Sequence, residues 1–498
     1  MLNILFASSE VYPLIKTGGL GDVSASLPVA IKEKKHDVRI ILPAYRDVMQ
    51  IAGSTNQLAE LNLPGVIGSV KLLQTNLPDT SIPVYLVDYP NAFNRAGNPY
   101  VGQDGEPWPD NAERFSLFCK VITEVAQNRA GLNWQPDILH CNDWQSALAP
   151  ALLHSESARP ATVFTIHNLA YQGNFPHSTF TALGLPPELW SSEALEFHGQ
   201  MSFIKGGIIF ADRVNTVSPK YAKEIQTSEF GFGLEGLLQY QSHKLSGILN
   251  GIDTATWNPS SDPNLVSRYD INSIDKKKLN KSALQESFNL ETDSSKLLLG
   301  FVGRLVEQKG IDFIVKLIPQ LTNLPIQLVI LGSGNQKIEK DIQAMADKFP
   351  EQIACKIGYS EALSHQIEAG SDVFLMPSRF EPCGLNQMYS LFYGTVPVVN
   401  NVGGLADTVT NLNKKYNNAK QATGFVMQST SSDALYDEII RAINAYQNPE
   451  LWNAIVQNAM KKDFSWKRSA NDYLKLYKIA MSDNTGSVVD ASQLPSAK

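Results

Sequence analysis

Cysteine is scarce in this chain. Cys119, Cys141, Cys355 and Cys383 lie far apart and form no C-x-x-C pair, which excludes a disulfide framework or zinc cluster and points to a reducing compartment. Surplus positive charge is also missing. Lys and Arg total 42 against 49 Asp and Glu, a formal net charge of -7, so neither nucleic acid nor an anionic membrane is an expected partner, and any bound anion must be held locally. No apolar stretch approaches the roughly 20 residues of a membrane span. The apolar run Leu2 to Ala7 has no basic region before it and is too short for a signal peptide. These absences predict a soluble, cytoplasmic protein.

Several chemical signatures are absent too. There is no Walker lysine loop, no H-E-x-x-H and no G-x-S-x-G. Residues 231–236 spell G-x-G-x-x-G, yet no strand immediately precedes them, so the dinucleotide reading fails its context test. D-x-D does not occur either. An enzyme handling a diphosphate without metal-binding carboxylates must neutralise the leaving group with its own cations, so neither a metal nor another cofactor is expected.

What the chain does have is an ordinary globular composition. Its 498 residues are 43% hydrophobic and 18% charged, enough for two or three domains. Short apolar, β-branched runs recur between longer helical patterns, the mark of parallel βα units. In the first half they fall at residues 3–7, 38–42, 83–87, 137–140, 162–166, 214–217 and 247–249. A second series follows at 297–302, 327–331, 353–356, 373–376, 396–400 and 424–427. The polar stretch 253–280 reads as the linker, which sets the domain boundary near residue 250. Residues 90–111, with three glycines and four prolines, read as a long loop, either a functional lid or a disordered excursion. The segment after Met481 reads as a frayed tail.

Five strand ends carry candidate chemistry. After the first strand comes Lys16-Thr17-Gly18-Gly19-Leu20-Gly21-Asp22, a glycine turn opening a helix, where free N–H groups favour an anion; the alternative is a tight turn and nothing more. After 297–302, Arg304 and Lys309 suit a diphosphate, one as a bidentate fork and the other as a point charge, or else are solvated surface cations. After 373–376, Glu381 in the turn Ser378-Arg379-Phe380-Glu381-Pro382-Cys383-Gly384-Leu385 is placed for a sugar hydroxyl or a developing positive charge, or for capping the next helix. Cys383 by itself reads as a buried small hydrophobe. Asn142-Asp143 and His167-Asn168 close two consecutive strands, so both clusters should open onto one crevice.

Residues 16–22 (K-T-G-G-L-G-D), 166–173 (I-H-N-L-A-Y-Q-G), 249–253 (L-N-G-I-D), 303–310, 358–360 (G-Y-S) and 378–385 (S-R-F-E-P-C-G-L) together resemble bacterial glycogen synthases and plant starch synthases of glycosyltransferase family 5. The resemblance runs from Asn3 to about Tyr477. It implies a GT-B fold of two Rossmann-like α/β domains, 1–250 and 251–464, with the active site in the cleft between them. It also implies a helix over 465–481 crossing back onto the first domain, anchored by Trp466, and a flexible tail over 482–498. The implied reaction is retaining transfer of glucose from ADP-glucose to the non-reducing end of an α-1,4-glucan, glycogen or starch. The implied catalytic residues are Glu381, His167, Arg304 and Lys309. The implied donor-binding residues are Lys16, Gly18, Gly19, Asp143, Asn168, Asn250, Tyr359, Cys383, Gly384 and Leu385. Tyr389 stands where many other GT-B enzymes place a glutamate for the ribose.

Overall fold

The computed structural model describes residues 1–156, 158–415 and 417–485. It separates into two compact units: Met1–Gly251 with the chain from Trp466 on, and Ile252–Ser465.

The strands of the first unit are β1 (Asn3–Ala7), β2 (Asp37–Pro43), β3 (Asn56–Leu61), β4 (Val70–Asn76), β5 (Pro83–Asp88), β6 (Ile138–Asn142), β7 (Ala161–Ile166), β8 (Asn174–Pro176), β9 (Glu196–Phe197), β10 (Gln200–Ser202), β11 (Arg213–Thr216) and β12 (Leu245–Gly247). Nine of them make one sheet in the order β12-β11-β7-β6-β1-β2-β5-β4-β3. From β12 to β5 the pairing is parallel. β6 and β7 are buried throughout, which is why they read as unbroken apolar runs. The antiparallel hairpin β3–β4 extends the β5 edge, and β8, β10 and β9 form a separate small sheet. Neither was legible in the sequence, because β3 is mostly exposed and polar and shows no apolar alternation. The chain runs from β1 outward to β2 and later returns to β6 on the other side of β1, so the order reverses between β1 and β6. In open α/β sheets that switch point leaves a crevice at the carboxyl ends of the strands.

The second unit repeats the plan. Its strands are β13 (Leu297–Val302), β14 (Ile326–Gly332), β15 (Ile353–Ile357), β16 (Val373–Met376), β17 (Val396–Val399) and β18 (Phe425–Val426), all parallel in the order β15-β14-β13-β16-β17-β18. Here the reversal lies between β13 and β16.

Three segments differ from their sequence reading. Residues 253–280 are not a linker but part of the second unit. Trp257 stacks between the rings of His365 (3.7 Å) and Tyr389 (3.9 Å), and buried Asp262 accepts from Tyr393 Oη at 2.6 Å and pairs with His365 Nδ1 at 2.7 Å. Polar composition hid these few buried side chains. Residues 90–111 are ordered around a buried cation, for Arg114 donates to the carbonyls of Ala92 (2.7 Å) and Pro99 (3.0 Å) and to Asn111 Oδ1 (2.7 Å). The last helix, Trp466–Thr485, continues past residue 481. Asp483 meets Arg213 at 2.5 Å and Asn484 Nδ2 donates to Arg159 O at 3.1 Å, so the frayed-tail reading fails for 482–485, while 486–498 lie outside the described residues. Trp466, Tyr473 and Tyr477 bury this helix in the core of the first unit. Among the described residues no helix is long and apolar enough to cross a membrane.

Candidate functional site

In each unit candidate residues gather at the switch point, Lys16 and Asp143 after β1 and β6 and Arg304, Lys309 and Glu381 after β13 and β16, while His167, Asn250 and Tyr359 follow β7, β12 and β15. In the first unit the loop after β1 is organised by a residue that the sequence did not single out. Glu10, 3% exposed, accepts from Thr17 N (2.6 Å), Gly18 N (3.1 Å), Thr17 Oγ1 (2.6 Å) and Tyr100 Oη (2.6 Å). Two of the N–H groups expected to greet an external anion are therefore taken by an internal carboxylate. Gly18 and Gly19 remain exposed at the start of the helix Gly19–Glu33, and Lys16 Nζ pairs with Asp22 Oδ1 at 2.8 Å. The signal that could have found Glu10 is its position: an acidic residue three places beyond a strand that is otherwise apolar.

After β6 the chain turns through Asp143 at φ +54, a left-handed conformation that Asp tolerates better than most residues. Its Oδ1 accepts from His167 N at 2.7 Å and Asn168 N at 3.4 Å, tying the β6 and β7 ends together. Burial raises the Asp143 carboxyl to about 7 despite those N–H donors. Asn142 Nδ2 donates to Ala7 O at 3.0 Å, which turns its Oδ1 to His167 Nε2, also at 3.0 Å. That amide orientation puts the imidazole proton on Nε2. His140 is a satisfied core residue between Tyr477 Oη (2.8 Å) and Thr165 Oγ1 (2.7 Å). Asn250, after β12, is buried, and its Oδ1 has no hydrogen-bond partner among the described residues.

Burial lowers both His140 and His167 to about 3, so both rings are neutral near pH 7. The unfolded chain, with histidines near 6.5, binds more protons than the folded one between about pH 3 and 6.5, so this contribution is lost as pH falls below about 6.5. Asp143 acts oppositely: its folded pKa lies above the unfolded value, so its contribution weakens as pH rises from about 4 to 7. Among these three groups, two histidines against one aspartate leave a net loss of stability on acidification below about pH 6. The expected result of an imidazole NMR titration from pH 8 to 5 is that these two of the eight histidines do not shift.

In the second unit, Gly310 sits at φ +69 with Pro377 O only 2.1 Å from where a Cβ would stand, so only glycine lets the turn after β13 close on the turn after β16. The two turns are laced by Arg379 N donating to Gln308 O (2.8 Å) and by a two-pronged Arg379–Asp312 pair at 2.7 Å. This seats Lys309 Nζ 2.5 Å from Glu381 Oε2, which also accepts from Ser378 Oγ at 3.0 Å. Glu381 does not cap the next helix, Asn386–Phe392, whose N-cap is Leu385 without a side-chain bond. Behind it Gly403 and Gly404 pack on the carbonyls of Glu381 and Cys383, where a Cβ would come within 2.0 and 2.1 Å. Cys383 is buried, and Gly384 turns at φ +71 ahead of Leu385. Arg304 is exposed and its Nη2 donates to Gln308 Oε1 at 3.1 Å. Tyr359 is 76% exposed and its hydroxyl donates to Glu361. Among the described residues no group of His, Cys, Asp and Glu gathers that could hold a metal ion.

Residues 3–240 match the family described as starch synthase catalytic domain, and residues 283–462 match glycosyl transferases group 1. The chain is 53% identical over 480 residues to glycogen synthase 1 of Methylococcus capsulatus, covering 96% of this chain and 97% of that one. It is 53% identical over 479 residues to a glycogen synthase of Thioalkalivibrio sulfidiphilus, covering 96% and 99%. The catalytic domain of starch synthase IV from Arabidopsis thaliana, solved with ADP and acarbose, is similar with a TM-score of 0.86 and 34% identity over 97% of this chain and 99% of that one.

Proposed function

The chain belongs to the glycogen synthase and starch synthase family and is a glucan-building glycosyltransferase with the GT-B fold, and from that premise we propose that it transfers glucose from ADP-glucose to the 4-hydroxyl at the non-reducing end of an α-1,4-glucan, with retention and release of ADP, in glycogen biosynthesis. The observation that carries this reading is the Lys309–Glu381 pair at the switch point of the second unit, with Arg304 on the same turn.

Transfer through an oxocarbenium-like state puts positive charge on the glucose ring and negative charge on the departing diphosphate. Arg304 takes phosphate oxygens as a fork, while Lys309 and Lys16 act as point charges, so the chain's own cations do what a metal does elsewhere. Glu381 faces the developing positive charge. His167, neutral and with its Nε2 proton committed to Asn142, offers glucose a polar but uncharged edge. The departing phosphate takes the acceptor's proton, which is how front-face attack preserves configuration without a carboxylate nucleophile. The exposed Tyr359 ring suits the adenine, and Asn250 Oδ1 suits a sugar hydroxyl. In this reading Asp143 and Asn168 shape the glucose side of the site, Gly18 and Gly19 admit the diphosphate, and Cys383, Gly384 and Leu385 offer backbone N–H groups. Four free cysteines support a cytoplasmic location.

ADP-glucose is expected to give higher initial rates than UDP-glucose with glycogen as acceptor; equal or higher rates with UDP-glucose overturn the donor assignment. EDTA is expected to leave the rate unchanged, and strong inhibition by it contradicts a metal-free reaction.

A further inference from the structure

One motif remains unused by this reading: Gly231-Phe232-Gly233, the false dinucleotide fingerprint. Phe232 stands at φ +50, a conformation that a bulky residue keeps only when its surroundings enforce it, and the residue is 43% exposed. The enforcement is visible. Gly231 N donates to Thr227 O and Leu234 N to Gly231 O, both at 2.8 Å, and Gln172 Nε2 donates to Phe232 O at 3.0 Å. That last bond ties the loop to the neighbour of Tyr171, a residue 55% exposed, on the segment that leaves β7 after His167 and Asn168.

This second loop is equally fixed. Tyr171 N donates to Asn168 O at 3.2 Å, Ile204 N to Gln172 O and Phe203 N to Gly173 O, both at 3.1 Å. Gly173, at φ +62, crosses Trp144 so closely that a Cβ would lie 2.4 Å from the indole. Asn174 Nδ2 donates to Gln172 Oε1 at 2.9 Å, which sets the amide facing Phe232. Residues 166–176 contain no Asp, Glu, Lys or Arg.

We propose that Tyr171 and Phe232 form a rigid stacking platform for the pyranose rings of an α-1,4-glucan chain, and that this platform sets acceptor affinity. A glucan has apolar ring faces and hydroxyl edges and carries no charge. Exposed aromatic residues beside carboxamides match both features; the segment carrying Tyr171 holds no charged side chain, and the charges flanking Phe232, Glu229 and Glu235, are acidic and disfavour a phosphorylated partner. Locking both loops in the free protein means little ordering cost when a chain binds. The proposal rests on the glucosyltransferase reading above, and its test separates the two.

The test compares wild type, Tyr171→Ala, Phe232→Ala, the double variant, Phe232→Trp, Phe232→Leu and Phe232→Gly, each measured for mobility in glycogen-containing native gels and for initial rates at varied glycogen. The expected result is a KM for glycogen raised about tenfold in the double variant, with lost retardation in the gel and an unchanged KM for ADP-glucose. Trp should rescue position 232 and Leu should not. Phe232→Gly relieves the strained backbone without restoring a ring, so it should behave like the Ala variant; wild-type behaviour in Phe232→Gly overturns the platform. Unchanged gel mobility and KM in the double variant also overturns it while transfer by the wild type still stands. A wild-type protein that neither transfers glucose nor binds glycogen overturns both readings.

Discussion

Glu381→Ala and Glu381→Gln are both expected to lower turnover about 1,000-fold or more, the scale of removing a preorganised charge from the reacting centre. The two variants separate charge from packing. Glutamine keeps the side-chain volume and an acceptor for Ser378 Oγ, but removes the charge facing Lys309 and the glucose. Breaking a buried pair from one side costs about 3–5 kcal/mol. Because Lys309 keeps 22% of its side chain exposed and can turn to water, a smaller loss is expected here. The Glu381 side chain does not cap the helix Asn386–Phe392, so that helix does not depend on it. Purified variants should therefore melt cooperatively only a few degrees below the wild type while turnover on glycogen collapses. A folded Glu381→Gln variant within a few-fold of wild-type turnover would falsify the assignment of its charge to the reaction.

The second large effect belongs to Glu10. Its buried carboxylate holds two backbone N–H groups and two hydroxyls. Glu10→Ala removes all four bonds, but Thr17 and Gly18 are exposed and can turn to water and Tyr100 Oη keeps Ser9 Oγ at 2.8 Å, so the loss stays below the figure of about 1–3 kcal/mol per group for a sealed site. The loop from Lys16 to Gly19 loses its anchor, so kcat/KM for ADP-glucose should fall about 100-fold, with a melting temperature lowered by only a few degrees. Glu10→Gln should be much milder. Its carbonyl oxygen can stay with Thr17 N and Gly18 N, while its NH₂ faces the Thr17 and Tyr100 hydroxyls, which can rotate to accept. If Gln and Ala are equally damaging, the carboxylate acts through its charge and not by positioning the loop.

The contrast between these two residues explains how much could be read early. Glu381 was visible because its turn follows an apolar strand and is bounded by proline and glycine, a local pattern. Glu10 was not, because one of its partners, Tyr100, lies 90 positions away on a segment that reads as an irregular loop. The same holds for residues 253–280. Their polar majority is what a sequence shows, whereas the Trp257 stack and the Asp262–His365 pair depend on helices more than 100 residues further on. The hairpin β3–β4 was missed for the opposite reason: its stabilising partner β5 supplies the pairing, so β3 needs little apolar pattern of its own.

By itself the sequence determined the alternation of buried strands and amphipathic helices, the two series of βα units, and the strand ends where chemistry gathers. All of these follow from hydrophobic periodicity and from glycine placement, which act over a few neighbouring residues. The tertiary structure alone decided the strand order, and with it the switch points between β1 and β6 and between β13 and β16. It also decided which polar groups satisfy one another: Glu10 with the glycine turn, Asn142 with His167, Lys309 with Glu381. A buried donor or acceptor must find a partner wherever the fold brings one, and that partner is fixed by distance through space rather than along the chain.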